Sequence, residues 1–93
     1  MIKLEQRTCK EINVDLAGRI AKLRKRKKLS QKELSIRSGV SYGSIKRFEQ
    51  TGEISLQSLT KIAISLQIED ELDSLFESVP YDSIEEILRE QDR

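Results

Sequence analysis

The sequence predicts an all-α domain of five helices with a short helical extension at its carboxyl end. Only four glycines and one proline interrupt the 93 residues, which leaves long stretches free to form helices. Apolar residues recur at intervals of three and four, and this spacing collects them on one face of a helix. Alternation of apolar and polar residues never continues beyond a few positions, which argues against strands. A chain of this length has room for a single core, and helices bury one economically.

The first helix is predicted between about Lys10 and Lys27. Thr8 precedes it and Glu11 follows three residues later, which is the pattern of a capping box. Apolar residues then recur four, four and three positions apart, so they share one face of the helix. This predicted inner stripe is Ile12, Leu16, Ile20 and Leu23.

A second helix and a sharp turn are predicted next. Ser30 and Glu33 form another capping-box pattern, and Leu34 lies on the inner face of the helix. Gly39 ends this helix because glycine takes a positive φ angle without a steric penalty. The following Ser41 is in position to cap a third helix.

The third helix has an apolar inner face and a polar outer face. Ile45 and Phe48 point back toward the core. The outward residues are Tyr42, Gly43, Ser44, Lys46 and Arg47. Two helices that cross sharply, with polar and cationic groups on the second, have the geometry that fits the major groove of DNA. A helical corner with a glycine also occurs in bundles that bind no DNA, so the corner alone is weak evidence.

The distribution of charge favours the DNA-binding interpretation. The formal net charge is only +1, but residues 19–47 hold eleven basic residues and one acidic residue. Residues 48–93 hold twelve acidic residues and three basic ones. The positive part of the chain therefore coincides with the predicted helical corner. Some of these cations end the first helix, where the helix dipole favours them whatever the function.

Two more helices are predicted to complete the core. Ser55 can cap the fourth helix, which has a regular apolar stripe. This stripe consists of Leu56, Leu59, Ile62, Ala63 and Leu66. A short fifth helix is predicted over residues 69–77, where Leu72, Leu75 and Phe76 would close the bundle.

Three parts of the chain are predicted. Residues 1–11 form an N-terminal arm, whose weak alternation suits either a short strand or an irregular segment. Residues 12–77 form the helix-turn-helix DNA-binding domain, and residues 78–93 form a C-terminal extension. In the extension, Ser83 and Glu86 match a capping box before a short amphipathic helix. Its apolar residues are Ile84, Ile87 and Leu88. This helix suits a sixth element of the bundle, a frayed terminus or a docking segment for a second protein.

The residues that enzymes use for chemistry are scarce in this chain. It has no histidine, which is the commonest general base and metal ligand. The single cysteine, Cys9, has no intrachain disulfide partner and is interpreted as a partly buried small hydrophobic residue and not as a reactive thiol. No glycine-rich phosphate loop is present. We therefore expect no enzymatic activity, no metal and no cofactor. The sequence also lacks a membrane-span pattern and a signal-peptide pattern, which predicts a cytoplasmic protein without membrane contact.

Residues Leu16 to Phe76 resemble the helix-turn-helix domain of phage repressors of the Cro and lambda-repressor type, the Xre-like family. The matching segments read IAKLRKRKKLSQKELSIRSGVSYGSIKRFE and SLQSLTKIAISL. The resemblance implies a five-helix, lambda-repressor-like DNA-binding domain whose third helix faces the DNA.

The resemblance also implies roles for individual residues. The glutamine that opens the second helix, here Gln31, contacts the DNA backbone in this family. The family pairs an arginine late in helix 1 with a glutamate at the end of helix 3, which implies a structural pair between Arg24 and Glu49. The start of the third helix faces bases and phosphates, with an arginine one turn later. The predicted DNA-contacting set is Gln31, Ser41, Tyr42, Gly43, Ser44, Lys46, Arg47, Lys27, Lys28 and Lys32.

The sequence departs from the family pattern at four positions. Ser35 and Ser38 are polar where many relatives have small or apolar residues. Gly43 leaves a usual base-reading position without a side chain, so readout is predicted to rely on the neighbouring tyrosine and arginine. Gly52 comes about one residue later than is common, which leaves the path of the loop 50–54 open.

These observations predict a transcriptional repressor that binds double-stranded DNA as a homodimer on a pseudopalindromic operator. The alternative is an antitoxin whose main role is to bind a toxin protein and which represses its own operon through DNA. Relatives that consist of a single domain with a short C-terminal extension resemble antitoxins. A basic patch that binds an acidic protein and no DNA is the least supported interpretation.

Overall fold

The computed structural model describes residues 6–78 and 84–91 of the chain, and these residues form six helices. They are α1 (Cys9–Arg26), α2 (Gln31–Ser38), α3 (Tyr42–Thr51), α4 (Leu56–Ser65), α5 (Glu69–Asp73) and α6 (Ile84–Gln91). No strand occurs within those ranges. The predicted all-α class is therefore confirmed, with five helices in the domain and one in the extension.

The first four helices each begin at a hydroxyl side chain that accepts a backbone N–H from the first turn. Thr8 and Ser30 do so within complete capping boxes, in which Glu11 and Glu33 accept the N–H of the capping residue. Simpler caps start α3 and α4, at Ser41 and Ser55. A cap of this kind contributes roughly 1 kcal/mol to stability, so these helix starts are fixed locally by the sequence.

A single apolar core lies between α1, α2, α3 and α4. Phe48 and Ile45 are its largest contributions from α3, and Leu34 of α2 is completely buried against them. The remaining members of the core cluster are Ala17, Ile20, Leu29, Val40, Ile62 and Leu66. The contacts between α1 and α3 and between α2 and α4 hold the helical corner on this core.

Glycines with positive φ angles end both α2 and α3. Gly39 has φ 77° and Gly52 has φ 79°, the left-handed conformation that glycine adopts most readily. The space around them differs. A Cβ atom on Gly52 would lie 2.7 Å from the backbone carbon of Asn13 in α1, whereas none of the described atoms lies within 4 Å of the same position on Gly39. Gly52 is thus also the point where the end of α3 packs on the backbone of α1.

The predicted apolar stripes are wrong at their first residues. Ile12 and Leu56 are exposed, not buried. Ile12 lies about 100° around α1 from Asn13, which faces the end of α3. Leu56 is the first residue of α4, before that helix enters the bundle. The inner face of α1 instead includes Ala17, which the stripe of larger residues did not include.

The prediction that α5 continues to residue 77 and closes the bundle is also wrong. The helix ends at Asp73, and Phe76 has a left-handed backbone with φ 61°. Because this conformation turns the chain out of the helix, the Phe76 side chain is 82% exposed and Leu75 is exposed beside it. Leu72 alone among the three predicted residues is partly buried.

The two ends of the chain test the predictions only in part. Helix α1 begins at Cys9, so residues 9–11 of the predicted arm are helical, while residues 1–5 lie outside the described residues. The predicted helix in the extension is confirmed as α6. Its predicted cap at Ser83 and the side chains of Ile84 and Ile87 lie outside the described residues. Across the part of the chain that the structure describes, no helix is both long and apolar enough to cross a membrane.

Candidate DNA-binding surface

The turn between α2 and α3 is held by the two serines that depart from the family pattern. The Ser35 hydroxyl donates to the carbonyl of Val40 at 2.6 Å, and the Ser38 hydroxyl accepts the N–H of Val40 at 3.1 Å. Val40 is itself buried in the core. Both polar side chains therefore fix the angle between α2 and α3, which sets how α3 is presented to a ligand.

The outer face of α3 is exposed along its length. All five predicted residues, Tyr42, Gly43, Ser44, Lys46 and Arg47, are exposed. The Lys32 ammonium of α2 lies 5.6 Å from the centre of the Tyr42 ring, a cation–π distance that orders the ring next to a positive charge. The Ser44 hydroxyl accepts from the Ser41 hydroxyl at 2.8 Å, so the start of α3 is a polar surface.

A buried ion pair joins α1 to α3 behind this face. Arg24 of α1 donates from Nε and Nη2 to the two carboxylate oxygens of Glu49 at 2.8 and 2.9 Å, and from Nη1 to the carbonyl of Leu29 at 2.7 Å. The Arg24 and Glu49 side chains are only 9% and 8% exposed. The guanidinium is therefore neutralised inside the domain, as the resemblance implies, and is not a free cation for DNA.

Gln31 belongs to the same network. Its side-chain amide donates to Glu49 Oε1 at 2.9 Å, so the first residue of α2 is tied to the end of α3. The amide is half-buried and retains a second N–H for another acceptor. A phosphate bound there would be held in a fixed position relative to both helices of the corner.

The predicted lysines do not all lie together. Lys32 and Lys46 belong to the two helices of the corner, and Lys32 contacts Tyr42. Lys27 instead donates to Gln67 at 3.1 Å, in the turn that follows α4. Lys28 next to it has a left-handed backbone with φ 58°, which ends α1 and turns the chain toward α2.

Arg47 is joined to a residue that the sequence did not single out. Its Nη2 donates to Glu53 Oε1 at 2.6 Å, and both side chains are exposed. These two residues line a groove of about 410 Å³ between the exposed face of α3 and the start of α4. The other lining residues are Ser44, Ile54, Ser55 and Ser58. The sequence showed no sign of this pair because six positions and the turn at Gly52 separate its members.

A family model described as Helix-turn-helix matches residues 20–71, more than half of the chain. The chain belongs to the Xre- and lambda-repressor-like helix-turn-helix family. Comparison with curated proteins and with solved structures found no match.

Membership of this helix-turn-helix family assigns the general function of the chain. It is a DNA-binding transcription regulator, and its ligand is double-stranded DNA. The matched region begins in α1 and ends in α5, so it includes the whole corner and the Arg24–Glu49 pair. The geometry suits the chemistry, because the corner presents hydroxyls, an aromatic ring and cations on a rigid, exposed helix.

Proposed function

We propose that this helix-turn-helix protein is a transcriptional repressor that binds a pseudopalindromic operator as a homodimer, with α3 in the major groove. The observation that carries the proposal is the outer face of α3, whose five polar and cationic positions are exposed and whose end is joined to α1 by the buried Arg24–Glu49 pair. A regulator that occupies an operator excludes other proteins from it, and no separate activation domain is needed for that effect.

In this proposal Arg47 and Tyr42 read bases. Arg47 can present two N–H groups to the O6 and N7 atoms of guanine, the commonest specific contact in the major groove. Lys46 is a flexible point charge that suits a phosphate, as do Lys28 and Lys32. Gly43 adds no side chain between them, and none of the described atoms surrounds its Cβ position, so the backbone of α3 can approach the DNA closely there.

Substitutions of two neighbouring residues test these assignments. Arg47→Ala should cost about 1 to 3 kcal/mol on the operator and relax the preference at one base pair, with little change on unrelated DNA. Lys46→Ala should weaken binding to all sequences and reduce the salt slope by about one unit. Binding-site selection followed by salt titrations measures both effects. An unchanged sequence logo for Arg47→Ala would mean that this residue does not read a base.

The homodimer is proposed because one recognition helix reads too few base pairs to mark a genomic site. An exposed apolar surface near α5 supports it. Leu75 and Phe76 are exposed in the segment that follows α5, and a groove of about 530 Å³ lies between α4 and α5. The groove is lined by Thr60, Ile64, Glu69, Asp70, Leu72 and Asp73. Large apolar side chains that lie exposed together on a small domain are typical of a protein interface.

The substitution Phe76→Asn tests the dimer surface. Asparagine tolerates the left-handed backbone at this position, so the variant removes the apolar side chain without straining the turn. We expect the variant to be monomeric in light scattering at concentrations at which the wild type is a dimer. Leu56→Asn changes another exposed apolar residue, at the start of α4, and should leave the dimer intact.

The second candidate function is that of an antitoxin, whose main partner would be a toxin protein. The same exposed surface and the sequence of α6 favour it, because both combine apolar residues with acidic ones. A wild-type protein that is monomeric in solution and binds its operator as a monomer would contradict the repressor dimer. The exposed surface would then be assigned to a different protein.

A further inference from the structure

We propose that Glu53 is a specificity-determining residue of the DNA interface. It positions Arg47 for a guanine and opposes the use of Arg47 on the phosphate backbone. This inference rests on the proposed function, in which Arg47 reads a base. Glu53 itself is expected to touch no base and to act through the arginine.

The loop that carries Glu53 is held rigidly. The Thr51 hydroxyl donates to the carbonyl of Arg47 at 2.7 Å and accepts the N–H of Glu53 at 3.2 Å. Between them Gly52 takes its left-handed conformation against the backbone of Asn13, where even a Cβ atom would not fit. The chain that leads to Glu53 is thus packed against α1 at Gly52 and hydrogen-bonded to α3 at Thr51, and this path brings the Glu53 carboxylate within reach of Arg47.

The contact between Glu53 and Arg47 leaves the arginine able to read a base. The pair uses one of the five N–H groups of the guanidinium, on Nη2. The four remaining N–H groups include a pair that can serve the two acceptors of a guanine. An arginine that is already held loses less side-chain freedom when it binds, which favours the base that matches its position.

The charge of Glu53 has a different effect on each mode of binding. While the pair is intact, Arg47 and Glu53 together carry no net charge and gain little from a phosphate. If Arg47 turns to a phosphate, the Glu53 carboxylate is left unpaired near the densely charged DNA backbone. Among the described residues that line this groove, Glu53 is the one acidic side chain. Its repulsion therefore acts against nonspecific binding more than against operator binding.

The contribution of this pair to folding should be small. Both side chains are mostly exposed, and exposed ion pairs contribute little to stability. Loss of the pair is therefore measurable in DNA binding without a confounding loss of fold. Thermal unfolding of each variant checks this point.

The substitution Glu53→Gln is the central test, in the full-length protein. Binding to unrelated DNA should increase about threefold to tenfold, with a salt slope steeper by about 0.9. Binding to the selected operator should change less, so the ratio of specific to nonspecific affinity should fall by a similar factor. The sequence logo should lose preference at the base pair that Arg47→Ala also affects.

Three further variants separate the contact from simple charge. Glu77→Gln makes the same charge change on the α5 side and should leave the affinity ratio unchanged. Glu53→Asp keeps the charge but shortens the reach to Arg47, so it should weaken the logo while nonspecific binding stays low. In an Arg47→Ala background, Glu53→Gln should no longer affect the logo.

The outcomes distinguish this inference from the function on which it rests. An equal change in specific and nonspecific affinity for Glu53→Gln, with an unchanged logo, would overturn the role of Glu53 and leave the repressor proposal standing. A loss of specificity that persists in the Arg47→Ala background would overturn it as well. A wild-type protein that selects no sequence would instead overturn the proposed operator binding and this inference together.

Discussion

At the scale of single residues, the most consequential interaction in the domain is the buried network around Glu49. Its carboxylate accepts from Arg24 and Gln31, and it thereby joins α1, α2 and α3 at one point. No buried side-chain nitrogen or oxygen in the described residues lacks a hydrogen-bond partner. Removal of one member would leave a buried charge without its partner, which costs more than the intact pair contributes.

Glu49→Ala is therefore expected to destabilise the domain by about 3 to 5 kcal/mol, because Arg24 would remain buried and unpaired. Replacement of both residues by apolar side chains, as in Arg24→Met with Glu49→Leu, should cost much less. Urea unfolding of the two variants measures the difference. Equal losses of stability would show that packing, and not the unpaired charge, dominates at this site.

The two capping glycines should respond differently to alanine. Gly39→Ala forces a Cβ into a left-handed backbone with open space around it and should cost about 1 to 2 kcal/mol. Gly52→Ala has the same backbone penalty and also collides with the backbone of Asn13, so the loss should exceed that of Gly39→Ala by at least about 1 kcal/mol. Thermal or urea unfolding compares them directly. Similar losses of stability for the two variants would mean that α1 and α3 move apart at little cost.

Residue-level features were predictable only where the interaction was local or typical of the family. The Arg24–Glu49 pair was expected because of the family resemblance, since nothing local links residues that are 25 positions apart. The Arg47–Glu53 pair depends on the path of the loop after α3, and the sequence did not predict that path. The roles of Ser35 and Ser38 depend on the position of the Val40 backbone, which only the folded turn defines.

At the scale of elements, helix starts were predicted well and helix faces less well. The starts at Thr8, Ser30, Ser41 and Ser55 were correct because a cap depends on residues within one turn. The predicted burial of Ile12 and Leu56 was wrong, because periodicity shows which residues share a helix face but not where a neighbouring helix begins and ends. The early end of α5 has the same origin, since the spacing of Leu72, Leu75 and Phe76 aligns them on one face but does not show that the helix ends at Asp73.

The two capping boxes should make stability depend on pH. Backbone and hydroxyl hydrogen bonds from Thr8 hold the pKa of Glu11 below its ordinary value, and those from Ser30 do the same to the pKa of Glu33. A lowered pKa in the folded state adds stability above the unfolded-state pKa, and this stability is lost as the pH falls through the folded value. Glutamine keeps the cap but does not ionise.

We therefore expect Glu33→Gln to reduce the loss of stability between pH 7 and pH 3, with little change in the structure of α2. Urea unfolding at a series of pH values measures this slope. Glu77→Gln, which alters an exposed carboxylate outside the helices, is the matched control. The same pH slope in wild type and Glu33→Gln would contradict the assignment.

At the scale of the whole molecule, positive and negative charges are concentrated in different parts of the chain. Fourteen of the 17 basic residues precede Phe48 and include those of the corner, whereas twelve of the 16 acidic residues follow it and include those of α5. If the basic part contacts about six phosphates, affinity for DNA should fall by roughly 10³ between 50 and 200 mM salt. Titrations on operator and unrelated DNA measure the slope. Binding that does not depend on salt would exclude the basic surface as the interface.

The C-terminal extension should be separable from the DNA-binding fold. The core cluster is formed by α1 to α4 and the segments between them, so a chain that ends at Ser78 retains every member of it. We expect this truncation to shift the melting temperature by no more than a few degrees and to leave DNA binding in place. A steep drop would assign α6 to the fold or the dimer. A loss of partner binding with the fold intact would support its role in docking.

The absence of a side chain at Gly43 bears on how this regulator would acquire a new DNA target. Gly43 is the second residue of α3, and beyond the backbone of its own helix none of the described atoms lies within 4 Å of the position of a Cβ atom, so a side chain fits here. Asparagine or glutamine at this position would add an adenine-reading amide beside Arg47 without disturbing the core. If α3 reads the major groove as proposed, a single substitution at residue 43 should therefore change which operator sequence the protein selects.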